Sequence, residues 1–157
     1  MSLRILLISG ALAITAAATY AQDANREVVM APNDVGTIVD RIEKKTGDFK
    51  SAFNNAVEHS TMDDTKLEGN SKKRADDLHD AAAKLGDIFH DKRDKNNPQV
   101  RAQVDKTIGA ASELNRVMSS HRFTDKLQQQ WEQVRGDLNA LASVYNLSPL
   151  KSNTSER

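Results

Sequence analysis

The sequence predicts an all-α protein, an up-down-up-down antiparallel four-helix bundle preceded by a signal peptide. Apolar residues recur every three or four positions in four long stretches, which is the period of a helix with one buried face. The three prolines, at positions 32, 98 and 149, lie where these stretches begin or end. Short polar loops between four such helices favour a bundle. Two helical hairpins that dimerise are the alternative arrangement.

The first 21 residues have the features of a secretory signal peptide. Arg4 supplies a short positive region, and an uncharged, largely apolar stretch follows it. Small residues at positions 19 and 21 predict cleavage before Gln22, and those at 16 and 18 offer a second site. A retained membrane anchor is the alternative, but this apolar stretch is short against the roughly 20 residues that a spanning helix needs. We therefore expect an exported chain, periplasmic or secreted, with no membrane attachment after cleavage.

Composition excludes several function classes. The chain has no cysteine, so disulfides, thiolate metal sites and iron–sulfur clusters are impossible. Loss of Arg4 with the signal leaves 21 basic against 22 acidic residues, with both signs interspersed. The one short basic run is KKR at 72–74. This pattern is not that of a nucleic-acid-binding surface, and we expect no nucleic-acid partner.

The first predicted helix covers about 33–59 and follows a polar lead at 22–32. Asn33 or Asp34 can cap its start. Beyond it, Thr61 and Asp64 resemble a capping box for the second helix, with Asp in place of Glu. Residues on the apolar face of the first helix are Val35, Ile38, Val39, Ile42, Phe49, Phe53, Ala56 and Val57.

The second predicted helix covers about 63–93 and is poorly apolar in its first half. Ser71 and Arg74 fall on the apolar stripe, so we expect Arg74 to reach outward or to pair with a carboxylate. The predicted core residues of this helix are Leu67, Leu78, Ala81, Ala82, Leu85, Ile88 and Phe89.

The third predicted helix, 98–119, begins with a strong signal. Asn97 is the expected N-cap, and Pro98 occupies the first helical position, where its missing N–H does no harm. The apolar face of this helix holds Val100, Val104, Ile108, Ala111, Leu114 and Met118.

The fourth predicted helix covers about 124–146 and closes a bundle domain of 33–147. Its face carries Leu127, Trp131, Val134, Leu138, Leu141, Ala142 and Tyr145. Ser148 and Pro149 stop the helix, and residues 148–157 are expected to form a mobile polar tail.

Several glycines fall inside the predicted helices, and four of them should lower helix stability. Gly47, Gly109 and Gly136 are expected on outward faces, and Gly86 on a flank. Each costs roughly 0.5 to 1 kcal/mol relative to alanine in a helix.

The histidines do not form a metal pattern. Asp76 and His79, and likewise Asp87 and His90, have the Asp-x-x-His spacing, but both pairs belong to one helix. The two histidines are about 16 Å apart along the axis, too far to share an ion. We expect solvated histidines and no bound metal.

A haem site is not expected either. Met118 and His121 lie near one bundle end, but Met118 is more simply a core residue. The first helix has no methionine and the fourth no histidine, the two ligands that cytochrome b562-type bundles use there. The prediction is that the protein holds no cofactor.

No catalytic residue can be named. Serine would have to be the nucleophile, yet no G-x-S-x-G elbow occurs, and Ser119 and Ser120 beside His121 are neighbours that do not face one another on a helix. The prediction is a non-enzymatic binding or structural module. Its partner is an unknown protein, peptide or envelope component, and the protein is a monomer or weak homodimer. A metal- or haem-responsive ligand-binding bundle is the alternative.

The stretch 131–147, WEQVRGDLNALASVYNL, holds the only tryptophan of the chain. At 100° per residue its large side chains share one face, which indicates a core wall and not a cofactor site. Tryptophan and tyrosine still need partners for their N–H and O–H groups. On the flanks, Arg135 can lay its stem over the Trp131 ring, and Asp137 can bond a neighbouring helix.

The pattern W-x-x-V-R-x-D-L-x-x-L-A-x-x-Y in this stretch, together with DRIEKKTGDFKSAF at 40–53, resembles a group of uncharacterised exported bacterial helical proteins. The resemblance departs in the second helix, where an acidic pair is expected just after Thr65 and Lys66-Leu67-Glu68 stands instead. It implies export and a helical fold, and it carries no activity.

Overall fold

The computed structural model describes residues 34–59 and 66–152 of the chain. They form four helices: α1 (Asp34–Glu58), α2 (Lys66–Lys92), α3 (Pro98–Ser120) and α4 (Asp125–Val144). Every end lies within three residues of its predicted position, and the described part of the chain contains no strand. The signal peptide, the polar lead, the Asn33 cap and the Thr61 capping box fall outside the described residues.

The helices form an antiparallel ring around one core. α1 packs against α2 and α4, and α3 completes the ring between α2 and α4. Because a single chain closes the ring, the fold is the predicted four-helix bundle and not a dimer of hairpins. α3 and α4 are the least closely packed neighbours, which leaves a seam between them. The largest fully buried side chains are Trp131, Phe49, Phe53, Ile38, Ile42, Leu78, Leu85, Leu114, Met118, Leu138 and Leu141.

The start of α3 follows the predicted chemistry, and the start of α4 is capped in a similar way. The Asn97 side chain accepts a hydrogen bond of 2.9 Å from Gln99 N, and Pro98 opens α3 as predicted. At α4, Thr124 Oγ1 accepts from Leu127 N at 3.3 Å. These bonds satisfy backbone donors that a helix start leaves without partners.

The end of α4 reverses the direction of the chain. Asn146 has φ of 54°, a left-handed conformation that asparagine tolerates better than most residues. Leu147 N bonds Ala142 O at 2.9 Å, and Asn146 N bonds Ser143 O at 3.2 Å. This is the Schellman arrangement of a helix end. It turns the following residues back along the bundle.

Three expectations about packing were wrong. Leu67, predicted in the core, is 44% exposed at the start of α2, while Ser71 is buried. Gly47 does not face solvent: a methyl group there would lie 3.3 Å from the His79 ring, because α2 packs over it. The mobile tail is wrong at its start, because Leu150 is buried with 7% exposure.

Arg74 behaves as expected at the polar interruption of α2. Its side chain is 45% exposed, and Nη1 lies 3.8 Å from Asp77 Oδ2. Such an exposed pair contributes little to stability.

Candidate functional site

Trp131 belongs to the core, as predicted. It is fully buried, its ring centroid lies 5.3 Å from that of Phe49, and its Nε1–H donates to Asn115 Oδ1 at 2.9 Å. Tyr145 is also buried, but within residues 34–59 and 66–152 its hydroxyl has no hydrogen-bond partner. The stretch 131–147 is therefore a structural wall.

The flank of α4 that faces α1 carries an ion cluster. Asp137 accepts from Arg41 Nη2 at 3.0 Å and from Lys45 Nζ at 2.7 Å, so the predicted bond to a neighbouring helix is confirmed. The Asp137 side chain is only 12% exposed. All its visible partners are cations from one helix, which makes the cluster a tie between α1 and α4.

The other flank of α4 faces α3 and holds a segment of the chain itself. After the Schellman turn, residues 147–152 run over the α3–α4 seam, with Leu150 buried between the helices. We call this seam the tail groove. It is defined by Asn115 on α3, by Asn139 on α4 and by the place between the helices that the Leu150 side chain fills. Because α3 and α4 pack loosely, a chain segment laid over this seam can bury an apolar side chain between them.

Asn139 holds the segment by both edges of its side-chain amide. Its Oδ1 accepts from Leu150 N at 2.7 Å, and its Nδ2 donates to Leu150 O at 3.3 Å. Opposite, Asn115 Nδ2 donates to Lys151 O at 3.2 Å while its Oδ1 holds the Trp131 N–H. The core tryptophan thus orients the amide that contacts the segment.

The three hydrogen bonds that the asparagines make to the segment all go to its backbone atoms. An amide side chain has donors and an acceptor in fixed geometry, so it can pair with a peptide unit as another backbone would. Main-chain bonds give affinity for any extended chain, while pockets for single side chains give selectivity. The tail groove has the parts of a site that binds an extended segment with one buried aliphatic residue.

Sequence reasoning misses this groove because the polar composition of residues 148–157 predicts a mobile tail. Leu150 is the only large apolar residue after Pro149, and Asn146 favours a left-handed turn. Together these two signals could have predicted a returning segment. The partners could not be predicted, because Asn115 and Asn139 lie on two helices whose register the sequence leaves open.

A second concave surface lies at the opposite end, between α1 and the start of α4. It is an open groove of about 760 Å³. Its floor is apolar and includes Phe123 and Leu127, and its rim carries His59, Arg122 and Lys126. Such a surface suits an anionic, partly apolar molecule.

The histidines lie apart from each other. His79 Nδ1 is 3.5 Å from Thr46 Oγ1 under α1, so this histidine is half-buried and not on the solvated surface as expected. His90 is exposed and pairs with Asp40 at 2.8 Å. Asp76, the expected neighbour of His79, lies 3.0 Å from Lys50 Nζ. Over residues 34–59 and 66–152, no three metal-ligating side chains come together.

The remaining serine and histidine candidates are capping contacts. Ser120 Oγ lies 2.9 Å from His121 Nδ1, and both atoms also contact the Val117 carbonyl. Met118 is buried in the core. This arrangement forms the end of α3.

Two groups have shifted pKa values. Burial raises the pKa of the Tyr145 hydroxyl, Asp94 raises it further, and Arg101 opposes them. Hydrogen bonds to Glu68 and Glu58 raise the pKa of Lys72. The pair of Lys72 with Glu58 links α2 to α1. The raised pKa of Tyr145 reflects burial at the end of α4, next to the tail groove.

Comparison with protein-family models, with curated proteins and with solved structures finds no match to this chain. None of the described helices is long and apolar enough to cross a membrane.

Proposed function

We propose that this protein is an exported, non-enzymatic binding module of the periplasm or cell envelope, and that it holds extended polypeptide segments in the tail groove. The observation that carries the proposal is the pairing of both edges of the Asn139 amide with the backbone N–H and C=O of Leu150. The signal-peptide pattern supports export, and the resemblance to exported helical proteins agrees with it.

The tail segment is a bound example of the ligand class. It lies outside any helix, its backbone supplies the hydrogen-bonding atoms, and its one buried side chain is leucine. An incoming polypeptide with an aliphatic residue at the same place can make the same contacts. Because the tail is tethered, it is present at high effective concentration, so a competing segment must bind more tightly or find the tail displaced.

Peptide binding by the full mature chain tests the proposal. We would weaken the tail with Leu150→Ser and titrate the chain with a labelled peptide, Ac-NLSPLKS-NH2, and with extended peptides from envelope proteins. Trp131, which is bonded to the groove through Asn115, reports binding by its fluorescence. We expect Kd values of about 1 to 100 μM, as for short segments of modest contact area.

Asn139→Ala should abolish this binding because both edges of the amide are lost. Gln133→Ala is the matched control, since Gln133 is an exposed amide on the same helix that lines no part of the tail groove. Binding of no peptide, or binding that is indifferent to Asn139, would refute the proposed site.

Export is tested separately. Mass spectrometry of the protein from its native host should find Gln22 as the first residue in an envelope or secreted fraction. In the same sample, a Soret band or stoichiometric metal would favour the ligand-responsive alternative over the proposed function.

A further inference from the structure

Arg135 is a buried cation on α4, between Trp131 and the groove residue Asn139. Its side chain is 11% exposed, its Nη2 pairs with Glu132, and its Nη1 is buried with no hydrogen-bond partner among the described residues. A guanidinium has five donors and no acceptor. A buried charged donor without a partner is costly, so this atom is a place where a ligand oxygen would be favoured.

The bound segment runs toward Arg135. Leu150 is held by Asn139, and Lys151 by Asn115, which also contacts Trp131. On α4, Arg135 lies midway between Asn139 and Trp131, four residues from each. Four helical residues rise about 6 Å, and two extended residues cover nearly the same distance.

Side-chain alternation selects the position that faces Arg135. In an extended segment, successive side chains point to opposite sides. Leu150 points into the bundle and is buried, whereas Lys151 is exposed. The side chain two residues after the leucine therefore lies on the same side of the segment as the leucine. In this chain that residue is Ser152, whose short side chain is exposed and uncharged.

We propose that the tail groove has a carboxylate subsite at Arg135, so that its polypeptide ligand carries Asp or Glu two residues after the buried aliphatic residue. The inference rests on the proposed function and names the class of segment that fits. Arginine suits the role because its planar fork matches a carboxylate and stays charged at any physiological pH.

A charge placed in the tail itself tests the subsite without any added ligand. Four full mature chains would be compared by thermal unfolding: the natural chain, Ser152→Glu, Arg135→Gln, and the double variant. We expect Ser152→Glu to raise the melting temperature by about 3 °C, the shift typical of one good charged hydrogen bond in a chain of this size. The rise should vanish in the Arg135→Gln background.

Two control substitutions test whether the effect of Ser152→Glu requires the negative charge and the position of that charge. Ser152→Gln has the length of glutamate without its charge and should give no rise. Lys151→Glu puts the charge on the solvent side, and its effect should be the same with and without Arg135. If Arg135→Gln does not fold, the comparison of Ser152→Glu with Ser152→Gln at pH 7 and pH 3 replaces it, since protonation at pH 3 should remove the difference.

An equal effect of Ser152→Glu in both Arg135 backgrounds, or no effect in either, would overturn the subsite. This result is distinct from failure of the proposed function, which is measured by added peptides. If added peptides bind, a preference of the weakened-tail chain for Ac-NLSPLKE-NH2 over Ac-NLSPLKS-NH2 by about tenfold supports the subsite, and equal affinity contradicts it.

Discussion

Asn115 connects three parts of the molecule through one side chain. It stands on α3, accepts the Trp131 N–H from α4, and donates to the carbonyl of Lys151 in the tail. A buried indole N–H that loses its acceptor costs the full desolvation of that group. The contribution of Asn115 to stability therefore exceeds that of an ordinary surface amide.

For Asn115→Ala we expect a loss of about 2 kcal/mol in the free energy of unfolding, because the Trp131 donor and the Lys151 carbonyl both lose a partner. Urea unfolding followed by tryptophan fluorescence measures it. Asn70→Ala, at an exposed amide of α2, should change the value by less than about 0.5 kcal/mol. Equal effects of the two substitutions would contradict the bridging role.

Tyr145 is the place where stability should depend on alkaline pH. Burial raises the pKa of its hydroxyl in the folded state above the ordinary value of 10.0. Above about pH 10 the unfolded chain releases this proton while the folded chain retains it. The free energy of unfolding therefore falls as pH rises, and the contribution is intact below pH 10.

Tyr145→Phe should remove that alkaline loss. It also deletes a buried hydroxyl that has no partner, so we expect a gain of about 1 kcal/mol at pH 7. Urea titrations at pH 7 and pH 10.5 measure both effects, and the advantage of the variant should grow at the higher pH. An advantage that shrinks there would show that the folded protein stabilises the ionised phenolate, which is the opposite of a raised pKa.

Asp137 differs from the exposed carboxylates because two cations share it in a half-buried place. We expect Asp137→Ala to cost about 1 to 2 kcal/mol, since Arg41 and Lys45 lose their common partner. Asp48→Ala removes an exposed pair with Lys44 and should cost less than about 0.5 kcal/mol. Chemical unfolding at 0.1 M salt compares them, and similar costs would show that the cluster is merely a surface ion pair.

At the scale of single helices, two glycines in similar sequence settings have opposite surroundings. A methyl group on Gly136 of α4 would meet nothing within 4 Å. One on Gly86 of α2 would collide with the Glu43 carboxylate of α1. Helix propensity favours alanine at both positions, so packing decides the difference between them.

We therefore expect Gly136→Ala to raise the melting temperature by about 2 to 4 °C, as a gain of roughly 1 kcal/mol does in a chain of this size. Gly86→Ala should gain less or lower it, depending on how far Glu43 moves aside. Calorimetry of the two variants measures the contrast. An unchanged or lower value for Gly136→Ala would argue against a continuous helix α4.

The helices themselves could be predicted because their signals are local. Asn97 followed by Pro98 fixes the start of α3, and the apolar period fixes the buried faces. Leu67 was misplaced because the periodicity of α2 is weak before Leu78, and the helix starts at Lys66 with its first turn exposed. Gly47 was misplaced because its face meets α2, a contact that one helix cannot reveal.

For the whole molecule, the tail closes the seam that the four helices leave open. Leu150→Ser should lower the free energy of unfolding by roughly 2 kcal/mol, since a buried leucine contributes about that much. Lys151→Ser, at an exposed side chain whose backbone carbonyl is what Asn115 binds, should be nearly neutral. Urea unfolding measures both effects. No change in the free energy of unfolding for Leu150→Ser would support the predicted mobile tail.

The architecture of the bundle was predictable from the sequence, but the candidate site was not. Hydrophobic periodicity specifies how many helices form and which faces they bury, whereas the tail groove arises where two helices pack loosely. Looseness of one seam is a property of the assembled ring. It depends on the summed fit of many side chains, which no single stretch of sequence encodes.

The way Asn139 and Asn115 hold the tail has a consequence for evolution. The hydrogen bonds that both asparagines make to the tail go to backbone atoms of residues 150 and 151, so they place no demand on most side chains of that segment. Among homologues of this protein, the residues at positions 148 and 151 should be substituted often. The leucine, the two asparagines and the turn-forming Asn146 should change slowly, and together.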